Sequence, residues 1–189
     1  GVIELYRFCN NLDGIIPVGL HAYDGHIRTK DINQRTLECD AAFSTIEVLQ
    51  HTLIKQGFPE PLIVVGGSPT FPVHAKRKEV ECSPGTFIFW DYGYQSAFKE
   101  QLFLPAALVI TRVISQLPGG KFCLDLGHKS IAAENELTKR VYFLNAPRLL
   151  FVSQSEEHLV LETDASHPLQ VGDVLYGLPY HICPTVALY

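Results

Sequence analysis

The sequence predicts a mixed fold in which an α/β portion is followed by an all-β portion. Helical and extended patterns alternate along the first half of the chain, whereas from about Leu104 the segments are short, extended and separated by turns. Alternating helices and strands are typical of parallel β/α units, and short strands repeating every roughly 8–15 residues are typical of an antiparallel sheet or small barrel. We therefore expect two domains, at residues 1–103 and 104–189.

The first half is predicted to contain two helices and two buried strands. One apolar face predicts a helix over residues 2–12, and apolar residues that recur every three to four positions predict a second helix over residues 36–56. The apolar runs at residues 15–20 and 62–65 have the length and composition of buried parallel strands, although Pro17 disfavours the first.

The second half is predicted to be a succession of short strands. They fall at residues 107–114, 121–124, 140–143, 149–154, 158–162 and 173–176. The turns between them are supplied by Pro118-Gly119-Gly120, Asn145-Ala146-Pro147 and Ser166-His167-Pro168. A further strand is predicted at the junction of the two halves, over residues 86–90, after the turn Pro84-Gly85.

Composition indicates a packed globular protein and excludes several kinds of partner. Hydrophobic residues make up 47% of the 189 residues, and the net charge of −5 offers no basic surface to nucleic acid or an anionic membrane. The longest apolar run, residues 102–110, contains Pro105 and is too short to span a membrane. The five cysteines are an odd number without a CxxC pair, which disfavours a disulfide framework, so we expect a cytoplasmic protein.

His181 and Cys183 form the sharpest local motif. Residues two apart on an extended backbone point to the same side, so their imidazole and thiolate would converge, and both groups are good zinc ligands. Two protein ligands leave coordination positions open, as a catalytic metal requires. The alternative is a histidine near a turn beside a buried, unreactive cysteine.

A glycine-rich loop follows the predicted strand at residues 62–65. Its residues are Gly66, Gly67, Ser68, Pro69 and Thr70. Glycines allow backbone N–H groups to approach an anion closely, and two hydroxyls add donors, so the loop suits a phosphate group. It lacks the lysine of a Walker A loop, and a simple Gly/Pro turn is the alternative.

Titratable residues also follow the first predicted strand. Tyr23 and His26 lie where β/α folds place their sites, at the carboxyl end of a strand, and Tyr23 has a hydroxyl suited to hydrogen-bonding a cofactor. Asp24-Gly25 between them is equally well explained as turn chemistry.

Four motifs in this order resemble the family of D-threonine aldolase and metal-dependent D-serine dehydratase. They are Leu20-His21-Ala22-Tyr23-Asp24-Gly25-His26, Gly66-Gly67-Ser68-Pro69-Thr70-Phe71, Pro84-Gly85-Thr86-Phe87 and Pro179-Tyr180-His181-Ile182-Cys183-Pro184-Thr185-Val186. The resemblance implies an alanine-racemase-like fold, in which the C-terminal part of a β/α (TIM-like) barrel binds pyridoxal 5'-phosphate and an antiparallel β-domain carries a divalent metal.

The resemblance also implies roles for individual residues. Tyr23, Gly66, Gly67, Ser68 and Thr70 match cofactor-binding positions, and His181 and Cys183 match the ligands of zinc or manganese. The family's lysine, which forms a Schiff base with the cofactor near the start of the barrel, has no counterpart here. Since the chain also begins at Gly1 and contains no methionine, we expect it to be a fragment of a longer enzyme, inactive alone.

The implied activity is that of a lyase acting on D-β-hydroxy amino acids. It is either a D-serine dehydratase (ammonia-lyase) or an enzyme of D-threonine aldolase type, and we expect a homodimer. Two alternatives stay open, namely an amino-acid racemase of the same fold and a non-catalytic protein that binds pyridoxal phosphate.

Overall fold

The computed structural model describes residues 1–163 and 169–189, and the chain forms two compact units. The units are Gly1–Gly85 and Thr86–Tyr189, so the division lies earlier than the predicted boundary at 103/104. The boundary was predicted where the β-rich sequence begins, whereas the second unit already starts at Thr86, with short helical turns over residues 86–88 and 92–97. The turn predicted at Ser166-His167-Pro168 lies outside the described residues.

The first unit is a small parallel sheet with helices. Its elements are α1 (Val2–Asn10), β1 (Gly19–Ala22), α2 (Ile32–Lys55), β2 (Leu62–Val65), α3 (Phe71–His74) and β3 (Glu81–Cys82). The strands lie in the order β1-β2-β3 and both pairings are parallel. The α/β character is therefore as predicted, and a closed barrel stays a prediction.

Two bounds in this unit differ from the predicted ones for local reasons. Strand β1 begins at Gly19, later than predicted, because Pro17 has no N–H for a strand ladder, while its carbonyl accepts a hydrogen bond of 2.9 Å from the Tyr6 hydroxyl. Helix α2 begins earlier than predicted because the Asp31 carboxylate accepts from the N–H of Gln34, 2.8 Å away, and so caps it.

The second unit is dominated by an antiparallel sheet. Its strands are β4 (Val109–Leu117), β5 (Lys121–Leu124), β6 (Val141–Phe143), β7 (Leu150–Gln154), β8 (Leu159–Glu162) and β9 (Val174–Pro179). They lie in the order β6-β9-β4-β5-β8-β7 and all pairings are antiparallel. The predicted β-domain is confirmed, and each of the six strands predicted between residues 107 and 176 corresponds to an observed one.

Alternation along the strands builds the core of this unit. Val109, Thr111 and Val113 of β4 are buried, whereas Ile110 between them is 62% exposed. Side chains two residues apart point to the same face of a strand, so one face of the sheet encloses an apolar core. Its buried residues include Phe122, Leu124, Val141, Phe143, Leu159, Leu161 and Leu175.

Two short helices of the second unit were not predicted. Helix α4 (Tyr92–Ala97) is capped by Asp91, and helix α5 (Ile182–Val186) begins directly after His181. The strand predicted over residues 86–90 is wrong, since Thr86–Ile88 is a 3₁₀ turn. No helix among residues 1–163 and 169–189 is long and apolar enough to cross a membrane.

Candidate functional site

The parallel sheet brings the motifs of the first unit to one edge. Ala22 of β1 pairs with Val65 of β2, and Val65 pairs with Cys82 of β3, so the strands end side by side. The segments that begin at Tyr23, Gly66 and Ser83 therefore leave the sheet at the same edge. The Ser83 hydroxyl links two of them, because it donates to the carbonyl of Gly66 at 3.0 Å.

A buried carboxylate lies beneath the glycine-rich loop. Asp24 is buried, and its two oxygens accept hydrogen bonds from the Thr70 hydroxyl at 2.6 Å and from Nε2 of His74 at 2.7 Å. Arg77 donates a hydrogen bond from its Nε to Nδ1 of His74 at 3.2 Å. Since Nδ1 is the acceptor, Nε2 carries the hydrogen and donates the hydrogen bond to Asp24. Burial raises the pKa of Asp24, but the hydrogen bonds from His74 and Thr70 outweigh it and leave the pKa below its usual value.

The same network fixes the shape of the glycine-rich loop. The Gly67 N–H donates to the Thr70 hydroxyl oxygen at 3.1 Å. Gly66 has φ +88°, and a Cβ there would lie 2.9 Å from the His74 ring, so only glycine fits. Thr70 thus already bonds Asp24 and the loop backbone, and Ser68 is buried in the same loop.

Tyr23 presents an aromatic ring next to this loop. It is 69% exposed, a Cβ on Gly67 would lie 3.0 Å from its ring, and a Cβ on Gly25 would collide with its hydroxyl. The glycines therefore leave room for the ring beside backbone that a ligand can approach closely. An exposed ring beside a glycine-rich loop fits a planar, phosphorylated cofactor. His26, the other residue considered at this edge, is also exposed.

Asp24, His74 and Cys39 also satisfy the distance requirement for a metal site. Their ligand atoms lie within 4.8 Å of one another, and all three residues are buried. Burial raises the pKa of the Cys39 thiol to about 11, which disfavours the thiolate that a metal needs. Since Asp24 and His74 are already hydrogen-bonded to each other and to Thr70 and Arg77, we interpret this group as a network that supports the loop.

His181 and Cys183 converge in the second unit, but not along an extended backbone as predicted. His181 is extended (φ −137°, ψ 103°) and caps α5, whereas Cys183 lies in the first turn of that helix. A hydrogen bond between them raises the pKa of His181 and lowers that of Cys183. The Thr86 hydroxyl lies 2.6 Å from the Cys183 sulfur and stabilises the same thiolate.

Glu134 orients the imidazole of His181. One of its carboxylate oxygens lies 2.6 Å from Nδ1 of His181. No motif in the sequence had identified Glu134 as a functional residue. Metal-binding histidines usually donate one ring N–H to a carboxylate or carbonyl, which leaves the other nitrogen for the metal. With Nδ1 facing Glu134, Nε2 is the nitrogen left for an ion, and the hydrogen bond to His181 lowers the pKa of the Cys183 thiol, so the pair fits a divalent metal with sulfur affinity.

Asp91 is a second residue that the sequence analysis did not single out as functional. It is 1% exposed and accepts hydrogen bonds from the N–H of Tyr94 at 2.7 Å and of Ile182 at 3.0 Å. Ile182 is the residue between His181 and Cys183, so a buried carboxylate contacts the backbone of the pair. Burial raises the pKa of Asp91 above its usual value, although these backbone N–H groups and the charge of His181 act in the opposite direction.

One family model matches part of the second unit. Residues 106–189 match the family described as "Putative serine dehydratase domain", and the match includes His181 and Cys183. No sequence match was found among curated proteins.

Solved structures share the fold of the whole chain. D-threonine aldolase from Filomicrobium marinum superposes with a TM-score of 0.85 and 22% identity over 99% of this chain and 51% of that protein. An alanine racemase-like protein from Idiomarina loihiensis has a TM-score of 0.76 and 19% identity over 98% of this chain and 54% of that protein. D-threo-3-hydroxyaspartate dehydratase from Delftia sp. HT23 has a TM-score of 0.71 and 20% identity over 93% of this chain and 52% of that protein.

Two further structures of a D-threo-3-hydroxyaspartate dehydratase are of substituted proteins. In one a histidine is replaced by alanine, and in the other, which is in the metal-free form, the cysteine two positions later is replaced by alanine. These matches have 19% identity each.

The comparisons confirm the resemblance to the D-threonine aldolase and D-serine dehydratase family. At identities of 22% and below they establish the alanine-racemase-like fold, while the chain spans about half the length of these solved proteins. The proteins that share this fold are described as an aldolase, a dehydratase and alanine racemases.

Proposed function

Because residues 106–189 match a serine dehydratase domain, we propose that this chain is part of a pyridoxal-phosphate- and metal-dependent lyase acting on D-β-hydroxy amino acids. The observation that carries the proposal is the His181–Cys183 pair, with Glu134 bound to Nδ1 of the histidine. Cysteines that bind metals or react have lowered pKa values, whereas buried structural cysteines do not. A carboxylate that fixes the tautomer of a histidine is likewise typical of functional histidines.

The metal ligands are proposed to be Nε2 of His181 and the sulfur of Cys183. When bound, the metal supplies a Lewis acid for the substrate's β-hydroxyl group. Glu134 then serves to hold the imidazole in one orientation, and the Thr86 hydroxyl, 2.6 Å from the sulfur, stabilises the thiolate. Because thiolate ligands suit zinc better than manganese, we propose zinc as the resident ion.

The cofactor is proposed to lie at the edge of the parallel sheet. When bound, pyridoxal phosphate supplies an electron sink for charge that develops at the substrate's α-carbon. Gly66, Gly67 and Ser68 are proposed to hold the phosphate and Tyr23 to line the ring, as the sequence predicts. Thr70 bonds Asp24 and Gly67, so we propose that it contributes to the phosphate site mainly by fixing the loop.

Between the two lyase types we propose the dehydratase. The support is the spacing of a histidine and a cysteine, which are two positions apart here and also in the substituted forms of D-threo-3-hydroxyaspartate dehydratase. The same pair in this chain therefore favours loss of the β-hydroxyl group over cleavage of the carbon–carbon bond.

Turnover by the full-length protein tests the proposal. It is incubated with pyridoxal phosphate and either zinc or manganese, and is offered D-serine, D-threonine and their L-isomers. Pyruvate from D-serine alone supports the dehydratase, and glycine with an aldehyde from D-threonine supports the aldolase type. L-serine formed from D-serine without added metal would instead identify a racemase, and no turnover of any D-amino acid would contradict the lyase.

Two substitutions separate the metal site from the cofactor site. His181→Ala and Cys183→Ala should each remove bound zinc and metal-dependent activity while leaving the cofactor absorbance in place. His128→Ala and Cys123→Ala are matched controls in the same unit, and both should retain zinc. If zinc content and activity survive the first two substitutions, the metal assignment is wrong.

A further inference from the structure

Asp91 is in contact with the backbone of the proposed metal-binding pair. Its Oδ2 accepts from the N–H of Ile182 at 3.0 Å, and its Oδ1 accepts from the N–H of Tyr94 at 2.7 Å. One carboxylate thus caps α4 and also binds the N–H of Ile182, the residue between His181 and Cys183. Asp91 is 1% exposed and Ile182 is 2% exposed, so water has little access to replace the bond between them.

A second hydrogen bond from the same helix reinforces the first. The N–H of Gly93, in the first turn of α4, donates to the carbonyl of Tyr180 at 3.1 Å. A Cβ on Gly93 would collide with that carbonyl oxygen, so this close approach requires glycine. The start of α4 therefore holds the backbone at residues 180 and 182, on both sides of His181.

The backbone before Asp91 adopts a conformation that is costly for its residue type. Trp90 has φ +49°, the only non-glycine residue in the described part of the chain with a positive φ. Its side chain is fully buried against Tyr94 and Phe103, with ring centroids 5.3 and 5.1 Å away. Packing thus holds an unfavourable turn that immediately precedes the Asp91 carboxylate, and residues in such conformations are enriched at functional sites.

We infer that Asp91 is a positioning residue for the metal ligands. Its carboxylate fixes the backbone of Ile182, the residue between His181 and Cys183, so that the imidazole and the sulfur are held next to each other before the ion binds. Ligand groups that are fixed in advance lose less conformational entropy on binding. Loss of such support weakens metal affinity by about 10–100-fold. This inference rests on the proposed metal site and adds a residue that does not contact the metal.

The substitution Asp91→Ser separates this role from the capping role. Serine is a good N-cap and preserves the bond to the Tyr94 N–H. Its single side-chain oxygen does not also reach the N–H of Ile182. We expect the full-length variant to keep its far-ultraviolet circular dichroism while its dissociation constant for zinc rises about 10-fold or more. With cobalt as a spectroscopic probe, the thiolate-to-metal charge-transfer band should weaken in the variant at equal metal concentration.

Two further variants make the test decisive. Asp91→Asn keeps the size of the side chain and one acceptor oxygen, and it should weaken zinc binding in the same direction even if Asp91→Ser does not fold. Asp31→Ser replaces the matched N-cap of α2, in the other unit, and should leave zinc affinity unchanged.

The outcomes distinguish this inference from the proposed function. If the unsubstituted protein binds neither zinc nor cobalt through a thiolate, the metal site itself is wrong and the inference fails with it. If the unsubstituted protein binds both ions and the two Asp91 variants bind them equally well, the metal site stands and the positioning role is wrong.

Discussion

At the scale of single residues, Glu134 determines which nitrogen of His181 is available to an ion. Its carboxylate lies 2.6 Å from Nδ1, which leaves Nε2 for the proposed metal. We predict that Glu134→Ala lowers zinc affinity about 10–100-fold, because the imidazole loses the group that orients it. Isothermal titration of the metal-free, full-length protein with zinc measures the effect.

Glu136 provides the matched control for this prediction. It lies two positions away and forms an exposed ion pair with Lys139 at 3.2 Å. Glu136→Ala removes an acidic residue of the same segment, but it should not change zinc affinity. Equal losses in both variants would mean that general electrostatics, rather than the contact with His181, controls the binding of the ion.

Asp24 is the second residue whose charge has a measurable consequence. We predict that Asp24→Asn destabilises the protein by about 1–3 kcal/mol at neutral pH, because a buried amide does not replace both charge-assisted hydrogen bonds. The pKa of Asp24 lies below its usual value in the folded protein, so the stabilisation is complete above about pH 4 and is lost as the pH falls through the folded pKa. Chemical denaturation between neutral and acid pH measures both effects.

The pH dependence of the stability difference between the unsubstituted protein and Asp24→Asn shows whether Asp24 is ionised in the folded state. The difference in free energy of unfolding between the two proteins should shrink as Asp24 becomes protonated below about pH 4. Asp13, an exposed carboxylate of the same unit, supplies the control variant Asp13→Asn, which should match the unsubstituted protein. A difference that grows on acidification would show that Asp24 is not ionised in the folded protein.

At the scale of elements, helix α2 depends on its cap. The Asp31 carboxylate accepts from the N–H of Gln34, which the helix itself leaves without a partner. We predict that Asp31→Ala costs about 1 kcal/mol in free energy of unfolding, and that Asp31→Ser, which restores a capping oxygen, costs only a few tenths. Urea denaturation measures both; equal losses would show that the cap contributes nothing.

Hydrophobic periodicity predicted the elements well where burial decides them. The strand from Lys121 to Leu124 has the predicted bounds, because its alternation reflects a core that the sequence itself contains. Element ends were predicted less well, since they depend on one local contact. Asp31 moves the start of α2, and Pro17 moves the start of β1.

The candidate site was only partly predictable for a different reason. Motifs identified His181 and Cys183 because they are close in sequence, although the extended backbone used to relate them is wrong for Cys183. Glu134 and Asp91 lie 47 and 91 residues from their partners, so no local spacing relates them to the pair. The bond between Asp24 and His74 spans 50 residues and was missed in the same way.

At the scale of the whole molecule, the two proposed ligands bind residues of different compact units. Gly66, Gly67 and Ser68 belong to the first unit, and His181 and Cys183 belong to the second. A ligand that binds only the folded state stabilises it by about 2.7 kcal/mol at 100 times its dissociation constant. Each ligand should therefore raise the thermal midpoint of the full-length protein through its own set of residues.

We predict that substitutions in one unit remove the effect of one ligand only. Cys183→Ala should abolish the increase in midpoint caused by zinc while pyridoxal phosphate still raises it. Gly67→Ala should do the opposite, because its Cβ would lie 3.0 Å from the Tyr23 ring and fill space beside the loop backbone that the phosphate is proposed to approach. A differential scanning fluorimetry matrix of both ligands against both variants tests this directly. If Gly67→Ala also cancels the effect of zinc, or Cys183→Ala that of pyridoxal phosphate, the assignment of each ligand to its own unit is wrong.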